Sequence, residues 1–159
     1  MEHRGIDVVC VTSPAQLEDV RGLFIEYAHS LGFSLDFQGF GKELAELPAL
    51  YVPPEGRLLL GTVERQPAGC AGLHRLERDV CEMKRLYVRP QFRGLGLGRR
   101  LAERIISEAR AIGYHTLRLD TIVGTMDRAI ALYRRLGFVE IDCYRHNPIA
   151  GRLYMELRL

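Results

Sequence analysis

The stretch Val88-Arg89-Pro90-Gln91-Phe92-Arg93-Gly94-Leu95-Gly96-Leu97-Gly98-Arg99-Arg100-Leu101 joins a strand to a helix through closely spaced glycines. Glycine lets the backbone approach a ligand, and the unpaired amides and positive dipole end of a helix N-terminus attract phosphate. The turn therefore suits a pyrophosphate, with Arg93, Arg99 and Arg100 beside it as charge-assisted donors. A tight turn whose glycines serve geometry alone is the competing reading. Two better-known phosphate motifs are excluded. No Gly-Lys-Ser/Thr triplet occurs, which removes a Walker loop. The glycines run as GxGxG late in the chain, not as GxGxxG opening a βαβ unit, which argues against a dinucleotide fold.

Working outward, Leu101, Ile105, Ala109 and Ile112 share one face of a helix predicted over 97–112 and stopped by Gly113. On the other side, 81–88 reads as the third strand of a meander whose first two strands are 57–64 and 70–76, turned at Gln66-Pro67-Ala68-Gly69. Nearer the N-terminus, 6–11 is a β-branched strand. Ser13 then reads as an N-cap with Pro14 at the first helical position and Gln16 completing a capping box. Leu17, Val20, Phe24, Tyr27 and Leu31 line that first helix, and a short second helix is predicted over 42–47. After the Gly-rich turn come a strand over 116–121, a helix over 126–136 and closing strands over 138–141 and 153–158. The order β-α-α-β-β-β-α-β-α-β-β gives an α/β (α+β-like) architecture, a mixed and mostly antiparallel sheet of about seven strands flanked by helices. No linker or repeat interrupts it, so 1–159 reads as one domain.

Composition agrees with a globular domain: 47% of the 159 residues are hydrophobic and 26% charged. The 22 basic against 20 acidic residues leave a net charge of +2, too little to predict a nucleic-acid or membrane partner. Locally, Lys84, Arg85, Arg89, Arg93, Arg99, Arg100 and Arg104 face only Glu103, a concentration that points to an anion site or to a solvated helix face. Cys10, Cys70, Cys81 and Cys143 show no metal-ligand spacing and sit in apolar, strand-like contexts, so buried free thiols and no metal are expected. With no signal peptide and no span of apolar residues, a reducing cytoplasm is the expected location.

At Arg93, Gly96 and Gly98 the chain resembles the GNAT superfamily of acyl-CoA-dependent N-acyltransferases, whose signature is Q/R-x-x-G-x-G/A. Glu82-Met83-Lys84-Arg85-Leu86-Tyr87-Val88 looks like that family's fourth strand. Ala129-Ile130-Ala131-Leu132-Tyr133-Arg134-Arg135-Leu136-Gly137-Phe138 looks like its AxxxYxxxGF helix. The resemblance implies a GNAT fold splayed between strands 4 and 5, with acetyl-CoA as co-substrate. Leu86, Tyr87 and Val88 would then run along the pantetheine, and Arg93, Gly94, Leu95, Gly96, Leu97, Gly98 and Arg99 would hold the pyrophosphate. The thioester would emerge beside Tyr133. Met126 stands where the family often has an asparagine that contacts the cofactor, and Thr125 or Asp127 is placed to cap the helix instead.

Direct transfer needs a neutral amine and a protonated leaving thiol. Tyr133 is the candidate acid, its phenol being protonated at neutral pH; the alternative is a core aromatic. Glu82 is the candidate base, by resemblance to the strand glutamate of the histone-modifying branch; the alternative is an ion pair with Lys84 or Arg85. Asp120 and His74 are lesser candidates. In a strand free of bulges, Glu82, Lys84, Leu86 and Val88 share one face.

In such a family the acceptor is recognised by the loops after the first helix and before the last strand. Here they carry Asp36 and Phe37, and Tyr144, Arg145, His146 and Asn147. Asp36 against Arg145 or His146 would suit an amino acid or small amphoteric amine. The expected activity is acetyl transfer from acetyl-CoA to a primary amine of a small molecule or amino acid, with a homodimer as the candidate assembly. The alternatives are acetylation of a protein N-terminus or lysine, and a non-catalytic acyl-CoA-binding module.

Overall fold

The computed structural model describes residues 5–32, 34–35, 39–145 and 149–159. Its elements are β1 (Ile6–Cys10), α1 (Pro14–Ser30), α2 (Phe40–Ala45), β2 (Arg57–Val63), β3 (Gln66–Glu77), β4 (Val80–Val88), α3 (Leu97–Ile112), β5 (Thr116–Ile122), α4 (Asp127–Arg135), β6 (Val139–Ile141) and β7 (Arg152–Arg158). Single 3-10 turns at Ala49–Tyr51 and Pro90–Phe92 precede β2 and the Gly-rich turn. No helix among the described residues is long and apolar enough to cross a membrane.

Local chemistry sets several boundaries where the sequence places them. The Gln16 amide donates to Ser13 Oγ at 3.2 Å while the Gln16 side chain accepts from the Ser13 amide at 3.2 Å, so the capping box starts α1. Gly113 ends α3 at φ 108, a left-handed conformation open to glycine.

All strands join one sheet in the order β1-β2-β3-β4-β5-β7-β6, antiparallel throughout except for the parallel pair β4 and β5. That pair is short: only Val80–Glu82 of β4 meet Thr116–Arg118 of β5, and beyond Glu82 the two strands part. One apolar core lies between α3, α4 and one face of the sheet, with Leu59, Leu73, Leu101, Ile105, Leu117 and Met155 sealed in it. A second lies under α1 on the other face, around Val20, Leu23, Phe24, Tyr51 and Leu60.

Three local expectations are corrected. The β2–β3 hairpin turns at Glu64-Arg65, both at positive φ (49° and 67°), which is the two-residue type I′ geometry. Pro67 and Gly69, whose turn chemistry points to a loop, lie inside β3, where Gly61 pairs Gly69 and Thr62 pairs Pro67, leaving Ala68 as the bulged residue. Next, β4 carries a bulge. Cys70 opposes Tyr87 but Gly72 opposes Lys84, and Arg85 sits at φ 62. The extra residue breaks the alternation, so Leu86 and Val88 pack toward the α3 core while Glu82 stays on the α1 side with His74. Finally, Cys70 and Cys81 are buried thiols, but Cys10 is only half-buried and Cys143 is exposed in the loop after β6.

Candidate active site

Where β4 and β5 part, the sheet opens into a cleft of about 700 Å³, within the size range of small-molecule sites. Leu86, Tyr87 and Val88 of β4 form one wall, Arg93, Gly94, Gly96, Leu97 and Gly98 one end, and Met126 and Tyr133 the opposite wall. Ten of the twelve residues expected at the cofactor thus converge on one cavity. The other two, Leu95 and Arg99, do not line it: Leu95 is an exposed side chain, and Arg99 Nε lies 2.7 Å from Glu103 Oε1.

The Gly-rich turn has the geometry of an anion cradle. Gly94 and Gly96 stand at φ 83 and 86, and nothing lies within 4 Å of where their Cβ atoms would be, so the backbone is bare toward the cleft. Gly96 caps α3, and the Arg100 amide donates to Gly96 O at 3.1 Å. The amides of Leu97, Gly98 and Arg99 therefore fall in the first turn, ahead of any intrahelical acceptor.

Most of the surrounding basic residues pair within the protein. Arg89 grips Glu26 through Nε and Nη2, Arg85 grips Glu43 the same way, and the Arg100 and Arg104 guanidinium groups donate to the Ile6 and Val8 carbonyls on β1. Arg93, whose Nε donates to Val88 O at 3.0 Å, and Lys84 line the cleft.

Tyr133 is 6% exposed, packs against Phe138 with ring centroids 5.6 Å apart, and lines the cleft. Burial, reinforced by Tyr27 and Asp120, pushes its phenol well above the ordinary tyrosine range, so it carries its proton at any physiological pH. Near the start of α4, Thr121 Oγ1 lies 3.2 Å from Met126 Sδ, and Asp127 Oδ1 accepts from the Gly124 amide at 2.7 Å, tightening the turn instead of capping the helix.

Glu82 is 1% exposed and does not line the cleft. His74 Nε2 stands 2.8 Å from its Oε1, while the Tyr144 hydroxyl and Arg145 Nη2 each stand 2.6 Å from its Oε2. Burial pushes this carboxyl up, yet the His74 hydrogen bond, the Lys84 and Arg145 charges and the Tyr144 hydroxyl outweigh burial and hold it at about 2. Both oxygens are engaged and the proton affinity is low, a poor starting point for a base. Lys84, two residues on, does line the cleft, and burial together with Arg85 draws its ammonium down to about 8 against the pull of Glu82 and Glu43.

A family model for the acetyltransferase (GNAT) family matches residues 24–138. The chain belongs to that family. An N-acetyltransferase of Schizosaccharomyces pombe, named as uncharacterized, is 39% identical over all of this chain and 98% of its own length. The GNAT fold is shared with an acetyltransferase structure from Streptococcus agalactiae (TM-score 0.78, 22% identity, 98% of this chain and 99% of that one). It is also shared with the Salmonella typhimurium yncA structure, which holds acetyl-CoA (TM-score 0.69, 19% identity, 98% and 94% covered).

Of the acceptor-side residues expected in this GNAT chain, Asp36, Phe37 and Asn147, with His146, lie outside the described residues. Tyr144 does not line the cleft; its ring stacks edge-on against Tyr154 at 5.0 Å and its hydroxyl is turned to Glu82. Arg145, expected to meet a substrate carboxylate, is spent on the same Glu82. Sequence reasoning missed Glu43 and Arg152. Glu43 is buried against Arg85 from α2, and Arg152, at the start of β7, faces Asp120 across the cleft floor. A lone arginine after a glycine turn carries no signal of that in the sequence.

Proposed function

We propose that the chain transfers an acetyl group from acetyl-CoA to the primary amine of a small molecule or amino acid, by direct attack in a ternary complex. The observation that carries this reading is that one cleft holds a bare glycine turn with helix-end amides at one end and a buried, protonated phenol on the facing wall. A glycine turn and a phenol lining one cleft suit a ligand that carries a pyrophosphate and a reactive group, and the acetyl-CoA held by the Salmonella neighbour supports the assignment. When bound, acetyl-CoA supplies an activated acyl group and a thiolate leaving group.

The chain's own residues do the rest. The amides of Leu97 and Gly98, with Arg93, bind the pyrophosphate. The strand β4 past its bulge, around Leu86 and Val88, lies along the pantetheine arm. Tyr133 donates its proton to the departing sulfur. Lys84, whose neutral form is populated near pH 8, takes the proton from the acceptor ammonium. Glu82, expected as a base, is assigned instead as a positioning residue that ties Tyr144 and Arg145, on the loop after β6, to β4.

Acetyl-CoA consumption, read as free thiol against amino acids, small amines and peptides, with CoA binding measured in parallel, tests the reading. Turnover with free amines is expected. Turnover confined to peptides would replace the small acceptor by a protein N-terminus or lysine. Tight CoA binding with no acceptor at all would leave an acyl-CoA-binding module.

A further inference from the structure

Asp120 on β5 and Arg152 on β7 form a pair on the cleft floor that is joined less closely than the other buried pairs. Arg152 Nη1 stands 3.6 Å from Asp120 Oδ1, beyond hydrogen-bond range, although the two side chains are only 8% and 12% exposed. Asp120 Oδ2, Arg152 Nε and Arg152 Nη2 are buried with no hydrogen-bond partner among the described residues. Leaving a charged donor or acceptor buried and unsatisfied is costly, so such atoms in a native protein call for a cause.

The identity of the unpaired atoms supplies one. Nε and Nη2 make the edge of the guanidinium that grips a carboxylate with two parallel hydrogen bonds. Among the described residues that edge grips a carboxylate twice. Arg85 presents it to Glu43 at 3.0 and 3.0 Å, and Arg89 presents it to Glu26 at 3.0 and 2.6 Å. Arg152 has the same edge with no carboxylate of the described residues on it, and both it and Asp120 line the cleft that Tyr133 and Lys84 also line.

We propose that Arg152 binds the carboxylate of the acceptor through Nε and Nη2, with Asp120 Oδ2 accepting from the acceptor's ammonium, so that the substrate class is a free amino acid. The inference rests on the acetyl-transfer reading and narrows it. An ammonium and a carboxylate separated by one carbon match an anion and a cation that stand 3.6 Å apart. Asp120 holds the acceptor nitrogen until it loses its proton, and Arg152 fixes the other end. A peptide N-terminus, whose nearest carboxyl is an amide, lacks the group Arg152 would bind.

The test compares free amino acids with their carboxamides and decarboxylated amines in the thiol-release assay, on wild type and on Arg152→Gln, with CoA binding followed by calorimetry. The wild type is expected to favour the free acid by at least ~10-fold in kcat/KM, because a site built to pair a polar group rejects analogues lacking it. Arg152→Gln should erase that preference by raising KM for the acid at least ~10-fold more than for the amide. Arg152→Lys, keeping one charge, should recover part of the preference and guards against a folding defect in the glutamine variant. Amides used as well as acids, or an unchanged preference in Arg152→Gln, would overturn the assignment. If CoA binds but no amine is acetylated, the acetyl-transfer reading fails alone. Thermal stabilisation of the CoA-bound protein by free amino acids and not by their amides would then still support Arg152 as the carboxylate site, and equal or absent stabilisation would overturn it.

Discussion

The Tyr144 hydroxyl donates to Glu82 Oε2 at 2.6 Å, tying the loop after β6 to β4 just before the strands part. With Arg145 on the same oxygen and His74 on the other, one buried carboxylate ties β3, β4 and the loop after β6 together. Removing it disturbs several groups at once, since each loses a hydrogen-bonded anion in a low-dielectric setting.

Acid stability should report that carboxylate. Its pKa is lowered from 4.5 to about 2 on folding, so its stabilising contribution is complete above pH 4.5 and is lost as pH falls toward 2. Glu82→Gln should lower stability at pH 7 by about 3 kcal/mol, the scale of breaking a buried pair, and should flatten the dependence between pH 4.5 and 2. Denaturant midpoints at pH 7, 4 and 3 measure both, and parallel curves for the two proteins would contradict the assignment.

Tyr133→Phe removes the phenolic proton while keeping the ring against Phe138. Turnover should fall on the order of 100-fold, in the range of general-acid contributions, with CoA affinity within twofold to threefold of wild type (about 0.5 kcal/mol). Unchanged turnover would reduce Tyr133 to a packing residue.

For Lys84 the prediction lies in the pH profile. The rate at saturating substrates should rise with pH and level off above about 8, as its ammonium loses its proton. Lys84→Met should lower the plateau on the order of 100-fold and remove that inflection. An inflection that survives the substitution belongs to another group.

Gly96→Asp places a carboxylate at the N-cap of α3, at a φ of 86 that strains a side chain and beside the first-turn amides. CoA affinity should drop at least tenfold, or about 1.4 kcal/mol, while the far-ultraviolet spectrum stays native. Retained affinity would remove the Gly-rich turn from the pyrophosphate site.

The sequence by itself determined the features whose causes are local. The helix from Leu97 to Ile112, its glycine stop, the Ser13–Gln16 capping box and the strand order are legible because period, caps and turn residues act over a few positions. The same holds for much of the cleft lining, since Leu86, Val88, Gly94, Gly96 and Gly98 follow one another along one strand, turn and helix.

Only the tertiary structure decided what each charged side chain does. Seven basic residues from Lys84 to Arg104 read as one anion site, yet Arg85 and Arg89 meet acids 42 and 63 residues away, and Arg100 and Arg104 reach carbonyls of β1. The bulge at Arg85, set by register against β3 and invisible to alternation, moved Leu86 and Val88 off the face of Glu82. Glu82 is sealed among His74, Tyr144 and Arg145, and Arg152 stands on the cleft floor beside Asp120, because burial and partners come from contacts between distant segments. A carboxylate or guanidinium takes its role from the groups packed around it, and chain order does not state which those will be.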